Sequence, residues 1–253
     1  MDLRLNGSKV LVTGGTRGIG RAVVETFLEE GADVAFCARD AAEVAATEEA
    51  LGEAGAVALG SVADVGDADA LEAWVGEAAG RLGGIDVVVS NVSALAIPDS
   101  PENWEASLRV DLMGTVRLIA AAMPYLEQSA AASIVTVSSV SGREVDFASG
   151  PYGTVKSAII AYTQGLAFQL AGKGIRANSV SPGNTYFPGG VWAQIEQGDP
   201  ELFATAMSLN PTGRMGTPRE MATAVVFLAS PVSSFTTGTN LVVDGALTRG
   251  VQF

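Results

Sequence analysis

Seven short β-rich runs alternate with longer stretches of helical periodicity along this chain, and that alternation limits the possible folds more than any other feature. The runs cover residues 9–13, 34–38, 57–61, 85–90, 133–138, 176–180 and 240–243. Between them, residues 19–30, 41–54, 67–82, 104–126, 152–171 and 218–228 read as helices. Parallel strands need a crossover connection, and a helix is the usual one. The expectation is an α/β fold, with one doubly wound parallel sheet and helices on both faces. The runs read as apolar on both faces, as buried parallel strands do. No low-complexity linker, charge block or repeat interrupts the 253 residues, so a single domain over 1–253 is expected. The one long irregular stretch begins at Ser181 and contains short helical patterns at 191–196 and 201–208. Residues 184–212 or thereabouts therefore read as a lid.

The first run leads into Thr13-Gly14-Gly15-Thr16-Arg17-Gly18-Ile19-Gly20, and a helix follows. In such a turn Gly14 takes the tight bend, Gly18 lets backbone approach a pyrophosphate, and Gly20 permits close helix–strand packing. The free N–H groups of the helix N-terminus then face the phosphates. The spacing is Gly-x-x-x-Gly-x-Gly, and its place between strand and helix points to dinucleotide binding. An acid at the end of the second strand would hold a ribose 2′-hydroxyl, but that slot holds Ala38, followed by Arg39. Arg17 lies on the same side. Two guanidiniums suit a 2′-phosphate, so NADP(H) is expected over NAD(H). Asp40 stays open as an alternative ribose acceptor.

A second group supplies acid–base chemistry. Tyr152 and Lys156 stand four residues apart, one helical turn on a shared face, and Ser139 precedes the tyrosine by thirteen residues. A lysine ammonium beside a phenol favours the phenolate. Such a phenol can give a proton to a carbonyl oxygen or take one from an alcohol. Ser139 offers a second hydroxyl to the same oxygen. The trio suits reversible ketone reduction once a hydride donor is bound.

Composition removes the main competitors. The chain has no histidine, which excludes histidine-based triads and histidine-liganded metal sites, and no metal is expected. A net charge of −13 makes it a poor partner for nucleic acids or anionic membranes. Cys37 is the single cysteine, so no internal disulfide forms and a reducing compartment fits. The first residues lack the apolar core of a signal peptide, and the longest apolar helix pattern, 157–172, is shorter than a membrane span. The expectation is a soluble, cytoplasmic protein.

Glycine turn, serine, tyrosine and lysine together resemble the short-chain dehydrogenase/reductase family in its form of about 250 residues, from Lys9 to about Gly245. The resemblance implies a Rossmann-type fold. It also implies cofactor contacts from Gly14, Thr16, Arg17, Gly18, Ile19, Gly20 and Arg39. Asp64-Val65 matches the pair that meets adenine, and Asn91 would sit beside the cofactor at the end of strand four. Ser181-Pro182-Gly183 matches the turn beside the nicotinamide, so Pro182, Gly183 and Thr185 are assigned there. Lys156 would also hold the nicotinamide ribose, with Tyr152 alongside. Val242-Val243-Asp244-Gly245 matches the last strand.

Three departures stand out. The family's fourth catalytic residue is an asparagine seven residues after a tryptophan; Trp104 is followed at that interval by Asp111. In the family this position helps bend its helix and binds a water that leads protons to the lysine. A carboxylate there accepts from water but cannot donate, and near Lys156 it would offset part of the cation's effect on Tyr152. Ser93 replaces a glycine, and Phe187 stands where the family often has a threonine.

Ser93, Ala94, Leu95, Val140, Ser141, Arg143, Val145, Phe147, Tyr186, Trp192 and Phe203 are candidate substrate contacts, mostly apolar. They imply a hydrophobic ketone or secondary alcohol. A 3-oxoacyl-thioester reductase of fatty-acid or polyketide type is the alternative, although its acidic carrier would prefer a basic partner. A non-catalytic NADP-binding sensor or scaffold is the reading from another class. Residues 157–170 are apolar almost all round, which suggests packing on another subunit. The family resemblance makes a homotetramer the expected assembly, with Val251 and Phe253 tucked against a partner.

Overall fold

The computed structural model describes residues 2–52 and 57–251. The chain runs β1 (Lys9–Thr13), α1 (Gly18–Glu29), β2 (Asp33–Ala38), α2 (Ala41–Leu51), β3 (Ala58–Val62), α3 (Ala68–Leu82) and β4 (Val87–Ser90). It continues α4 (Pro101–Ala106), α5 (Met113–Leu126), β5 (Ser133–Val137), α6 (Pro151–Leu170) and β6 (Arg176–Pro182). Then come α7 (Val191–Gly198), α8 (Pro200–Leu209), α9 (Pro218–Ala229) and β7 (Asn240–Val243). The seven strands form one parallel sheet in the order β3-β2-β1-β4-β5-β6-β7. The order reverses between β1 and β4, so a crevice opens beyond their C-terminal ends.

Each face of the sheet has its own core. Val10, Val12 and Phe36 pack with Phe27 of α1 and Val226 of α9 on one side. Leu11, Val88 and Ile134 pack with Trp74 of α3, Ile119 of α5 and Leu166 of α6 on the other. The alternation of neighbours such as Val10 and Leu11 follows from the period of two in a strand.

Most elements match the expected alternation, with ends displaced by one or two residues. The helix expected to end at residue 54 is described as far as Leu51, and residues 53 and 54 lie outside the described residues. Two differences are physical. Strand β6 is not apolar: Arg176, Asn178, Ser179 and Ser181 are all buried. The Arg176 guanidinium donates to the carbonyls of Leu228, Ala229 and Ser230 and so caps the C-terminal end of α9. Asn178 bonds the backbone of Thr236 and Thr239. The hydroxyls of Ser179 and Ser181 both donate to Asn240 Oδ1 on β7. These side chains fasten the last strand and helix by hydrogen bonds where an apolar strand would rely on packing.

The second difference is the helix expected over 104–126. It starts at Pro101, capped by Ser100, whose hydroxyl accepts from Asn103 N. It is then broken by a wide, π-helical turn over Ser107–Leu112. Such turns are rare and recur at functional sites. Asp111 lies within it, 1% exposed.

The lid has a small core of its own, Trp192, Ala206 and Met215. Arg214 pairs with Glu220 at 2.6 Å and ties the end of the lid to α9. Among the described residues no helix is long and apolar enough to cross a membrane, and no cluster of His, Cys, Asp and Glu is arranged to hold a metal ion.

Candidate active site

A cleft of about 800 Å³ lies over the C-terminal ends of the central strands, at the point where the strand order reverses. It brings together Gly14, Thr16, Arg17, Gly18, Ile19, Gly20, Arg39, Asp64, Val65, Asn91, Ser139, Tyr152, Lys156, Pro182, Gly183 and Thr185. Asp111 is the expected site residue that does not line it; it lies behind Lys156.

The glycine turn is built for a close approach. A Cβ on Gly20 would stand 2.0 Å from the Gly14 carbonyl oxygen, so only glycine allows α1 to start against β1. Gly18 has φ +55°, in the left-handed region that favours glycine. Asn91 fixes the turn from β4, donating through Nδ2 to the carbonyls of Thr13 at 3.0 Å and Gly14 at 3.4 Å. The phosphates of a dinucleotide fit such a cradle, because bare backbone and a helix N-terminus face the cleft.

At the adenosine end, Asp40 lines the cleft beside Arg39, with one of its two oxygens held by a helix cap. Its Oδ1 accepts from Ala42 N and Glu43 N and caps α2. Arg17 and Arg39 are exposed, and neither has a carboxylate within ion-pair distance among the described residues. Glu43 also lines the cleft, accepting from Thr16 Oγ1 at 2.9 Å. Asp64 accepts from Gly66 N through Oδ1 at 2.8 Å. Cys37 lines the cleft too, and burial pushes its thiol up to about 12, so it stays a neutral thiol there.

At the other end, β5 and α6 set the reacting groups. Ser138 donates to the Lys156 carbonyl at 2.8 Å, which holds the end of β5 against α6. Ser139 Oγ accepts from Ser141 N at 3.1 Å, leaving its own proton free for a ligand. Lys156 Nζ stands 5.7 Å from the Tyr152 ring centre and donates to the Val137 carbonyl at 3.1 Å. Lys156 is 2% exposed.

Asp111 faces this lysine directly. Its Oδ1 lies 3.4 Å from Lys156 Nζ, and its Oδ2 accepts from Ala94 N at 2.8 Å. One carboxylate therefore meets two donors, the ammonium on α6 and an amide in the loop after β4. An asparagine has one acceptor oxygen, so it would turn an NH₂ group on one of them. Asp111 thus makes two contacts, one through each oxygen, that a single amide oxygen would not reproduce.

Of the expected substrate contacts, Ser93, Ala94, Leu95, Val140, Ser141, Phe147 and Trp192 line the cleft, whereas Arg143, Val145, Tyr186 and Phe203 do not. Tyr186 donates to Glu196 at 2.6 Å and packs edge-on against Phe203, inside the lid. Phe187 lies against the glycine turn, so close that a Cβ on Gly18 would meet its ring at 2.6 Å. Sequence reasoning missed Arg109, Asp146 and Asn184, which also line the cleft. Asn184 directly follows the Pro182-Gly183 turn, the one local signal for it; Arg109 and Asp146 carry none.

Comparison with known proteins agrees with this geometry. A family model described as enoyl-(acyl carrier protein) reductase matches residues 14–248. The chain belongs to the short-chain dehydrogenase/reductase family. It is 43% identical to isoepoxydon dehydrogenase patN of Penicillium expansum over 254 residues, 98% of each chain. It is 36% identical to the L-fucose dehydrogenase of Bos taurus, over 99% of this chain and 93% of that one. An NADPH-bound short-chain oxidoreductase of Pseudomonas aeruginosa PAO1, described as containing an atypical catalytic center, superposes with a TM-score of 0.89. That structure is 34% identical and covers 97% of this chain and 99% of its own. The protein is accordingly an oxidoreductase acting on alcohols or carbonyls, with a fold that binds a nicotinamide cofactor.

Proposed function

We propose that the protein is an NADP(H)-dependent carbonyl reductase, reversible as an alcohol dehydrogenase, acting on a compact and largely apolar ketone. The observation that carries this reading is that Ser139, Tyr152 and Lys156 open on the same cleft as the glycine turn. When bound there, a nicotinamide supplies or takes hydride. Tyr152 gives the proton to the substrate oxygen, and Ser139 orients that oxygen with its free hydroxyl proton. Lys156 holds the ribose hydroxyls and keeps positive charge beside the phenol. The backbone at Pro182, Gly183 and Thr185 meets the nicotinamide, and Asp64 with Val65 meets the adenine. The test is turnover of NADPH with a panel of cyclic and acyclic ketones. Consumption that requires a ketone supports the reading, and binding without turnover on every ketone contradicts it.

The preference for NADP(H) rests on Ala38 in the acidic slot and on Arg17 and Arg39, which line the cleft with no carboxylate within ion-pair distance among the described residues. NADPH is expected to bind about 10–100-fold more tightly than NADH, the worth of one or two charge-assisted contacts. Arg39→Ala should remove most of that ratio. A wild-type ratio below one, measured as two dissociation constants, would overturn the preference.

We also read the protein as a cytoplasmic homotetramer. Phe168 on α6 is 89% exposed and Phe235 is fully exposed, an unusual position for large apolar rings. Phe253, expected to pack on a partner, lies outside the described residues. Sedimentation at micromolar protein should give the mass of four chains, and a monomer would contradict the assembly.

A further inference from the structure

The substrate end of the cleft carries one charged group that hydride transfer does not use, the carboxylate of Asp146. It stands in the loop between β5 and α6, half-buried, and lines the same cleft as Ser139 and Tyr152. Its Oδ2 accepts from Ser141 Oγ at 2.6 Å and its Oδ1 from Ala148 N at 2.9 Å. No lysine or arginine lies within ion-pair distance of it among the described residues. A carboxylate has about four acceptor positions, so the two protein donors leave acceptor capacity towards the cleft.

Apolar side chains line the same cleft. Phe147, next to Asp146 in sequence, packs edge-on against Trp192 with ring centres 5.6 Å apart, and Val140 and Ala148 also line the cleft. A carboxylate facing an apolar pocket loses free energy when the pocket fills, unless the occupant donates to it. Its position relative to the chemistry is fixed as well. Ser141, which donates through Oγ to Asp146, donates through its backbone N–H to Ser139 Oγ. The carboxylate is therefore one residue's reach from the hydroxyl that meets the substrate oxygen.

We propose that Asp146 accepts a hydrogen bond from a substrate hydroxyl close to the reacting carbon. The substrate is then a compact hydroxy ketone, or in the reverse direction the corresponding diol, with an apolar ring face against Phe147 and Trp192. This rests on the reading of Ser139, Tyr152 and Lys156 given above and narrows its substrate class. An ammonium would also donate to Asp146, but it would place a second cation in the cleft beside Lys156, at a cost in like-charge repulsion and desolvation. A hydroxyl meets the same oxygen without that cost. Sites with a buried group waiting for a hydroxyl reject the analogue that lacks it, because the group is then left unpaired.

The test compares matched cyclic ketones with and without a hydroxyl on the neighbouring carbon. Two readouts are taken, kcat/KM with NADPH and calorimetric affinity of the two corresponding alcohols for the NADP-loaded protein. The wild type is expected to favour the hydroxylated member by about 10–100-fold in both, the range for a hydrogen bond to a charged acceptor. Asp146→Asn keeps one acceptor, which Ala148 N occupies, and presents NH₂ elsewhere; the preference should fall to about threefold or less. Any displacement of Ser139 in that variant affects both ketones and cancels in the ratio. Equal use of both ketones by the wild type, an undiminished preference in Asp146→Asn, or preference for an amino ketone over the hydroxy ketone would each overturn the proposal. If the variant does not fold, the wild-type ratios decide. Absence of turnover with either ketone would sink the underlying reductase reading, and the calorimetric preference would still decide the Asp146 contact.

Discussion

Tyr152→Phe is expected to lower kcat by about 10²–10⁴-fold, the usual contribution of a positioned general acid or base. The substitution removes one oxygen and leaves the ring over which Lys156 sits, 5.7 Å from its centre. Lys156 keeps its bond to the Val137 carbonyl, and the glycine turn is untouched. NADPH affinity should therefore stay within about twofold, which separates loss of the proton donor from loss of the cofactor site. Thermal stability should also change little, since the phenol is half-buried and has no protein hydrogen bond to lose among the described contacts. An equal fall in kcat and NADPH affinity would mean that Tyr152 acts mainly in holding the cofactor.

Asp111→Asn is the second large effect, and it runs against what the family resemblance suggests. The family usually carries asparagine at this position, so the change looks like a restoration. The contacts say otherwise. Asp111 accepts from Ala94 N at 2.8 Å while its other oxygen faces the Lys156 ammonium at 3.4 Å. The amide can satisfy one of these two buried donors and must present NH₂ to the other. Leaving such a group unpaired costs about 1–3 kcal/mol, a fall in melting temperature of roughly 2–12 °C for a chain of this size. Asp111→Ala removes both contacts and leaves the Lys156 ammonium with the Val137 carbonyl but no counter-charge, at about 3–5 kcal/mol. Because the carboxylate joins Lys156, the lysine proposed to hold the ribose, to the loop of Ser93, Ala94 and Leu95, Asp111→Asn should weaken NADPH binding and also raise KM for the ketone. Leu95 in that loop holds φ +50°, a conformation rare outside glycine, so the loop depends on its ties. Melting curves, NADPH titration and initial rates measure the three effects. Unchanged values in all three would show that the carboxylate is a neutral replacement.

These two predictions mark where sequence reasoning stops. The glycine turn and the pair Tyr152 and Lys156 were legible because each lies within one turn or element, where spacing alone sets geometry; Ser139 lies across the loop between β5 and α6 and was legible through the family resemblance. The sheet was legible for the same reason, since apolar runs and helical periods are local. The partners of Asp111 were not. Its two donors come from the loop after β4 and from α6, far apart in sequence, and the π-helical turn that carries it leaves no periodic signal. Asp40 shows the reverse case. The sequence marks it only as a possible ribose acceptor, and the hydrogen bonds from Ala42 and Glu43 to its Oδ1 show that it also caps α2. Residues 176–180 read as apolar with the other strands, but Arg176 and Asn178 lie buried in β6 because each polar group finds backbone partners on α9 and the segment before β7. Asp146 carried no signal at all, because an acid in a surface-like loop gains meaning only when the loop folds over the cleft.

The central claim is that this cleft moves hydride between a nicotinamide and a carbonyl carbon while Tyr152 moves the proton. The most direct measurement uses NADPH carrying deuterium at both positions of its reactive nicotinamide carbon, a cyclic hydroxy ketone and ordinary water. The account predicts deuterium on the carbinol carbon of the product, none on its oxygen, and loss of product formation in Tyr152→Phe. Product lacking deuterium, or NADPH bound but never consumed with any carbonyl, would contradict it.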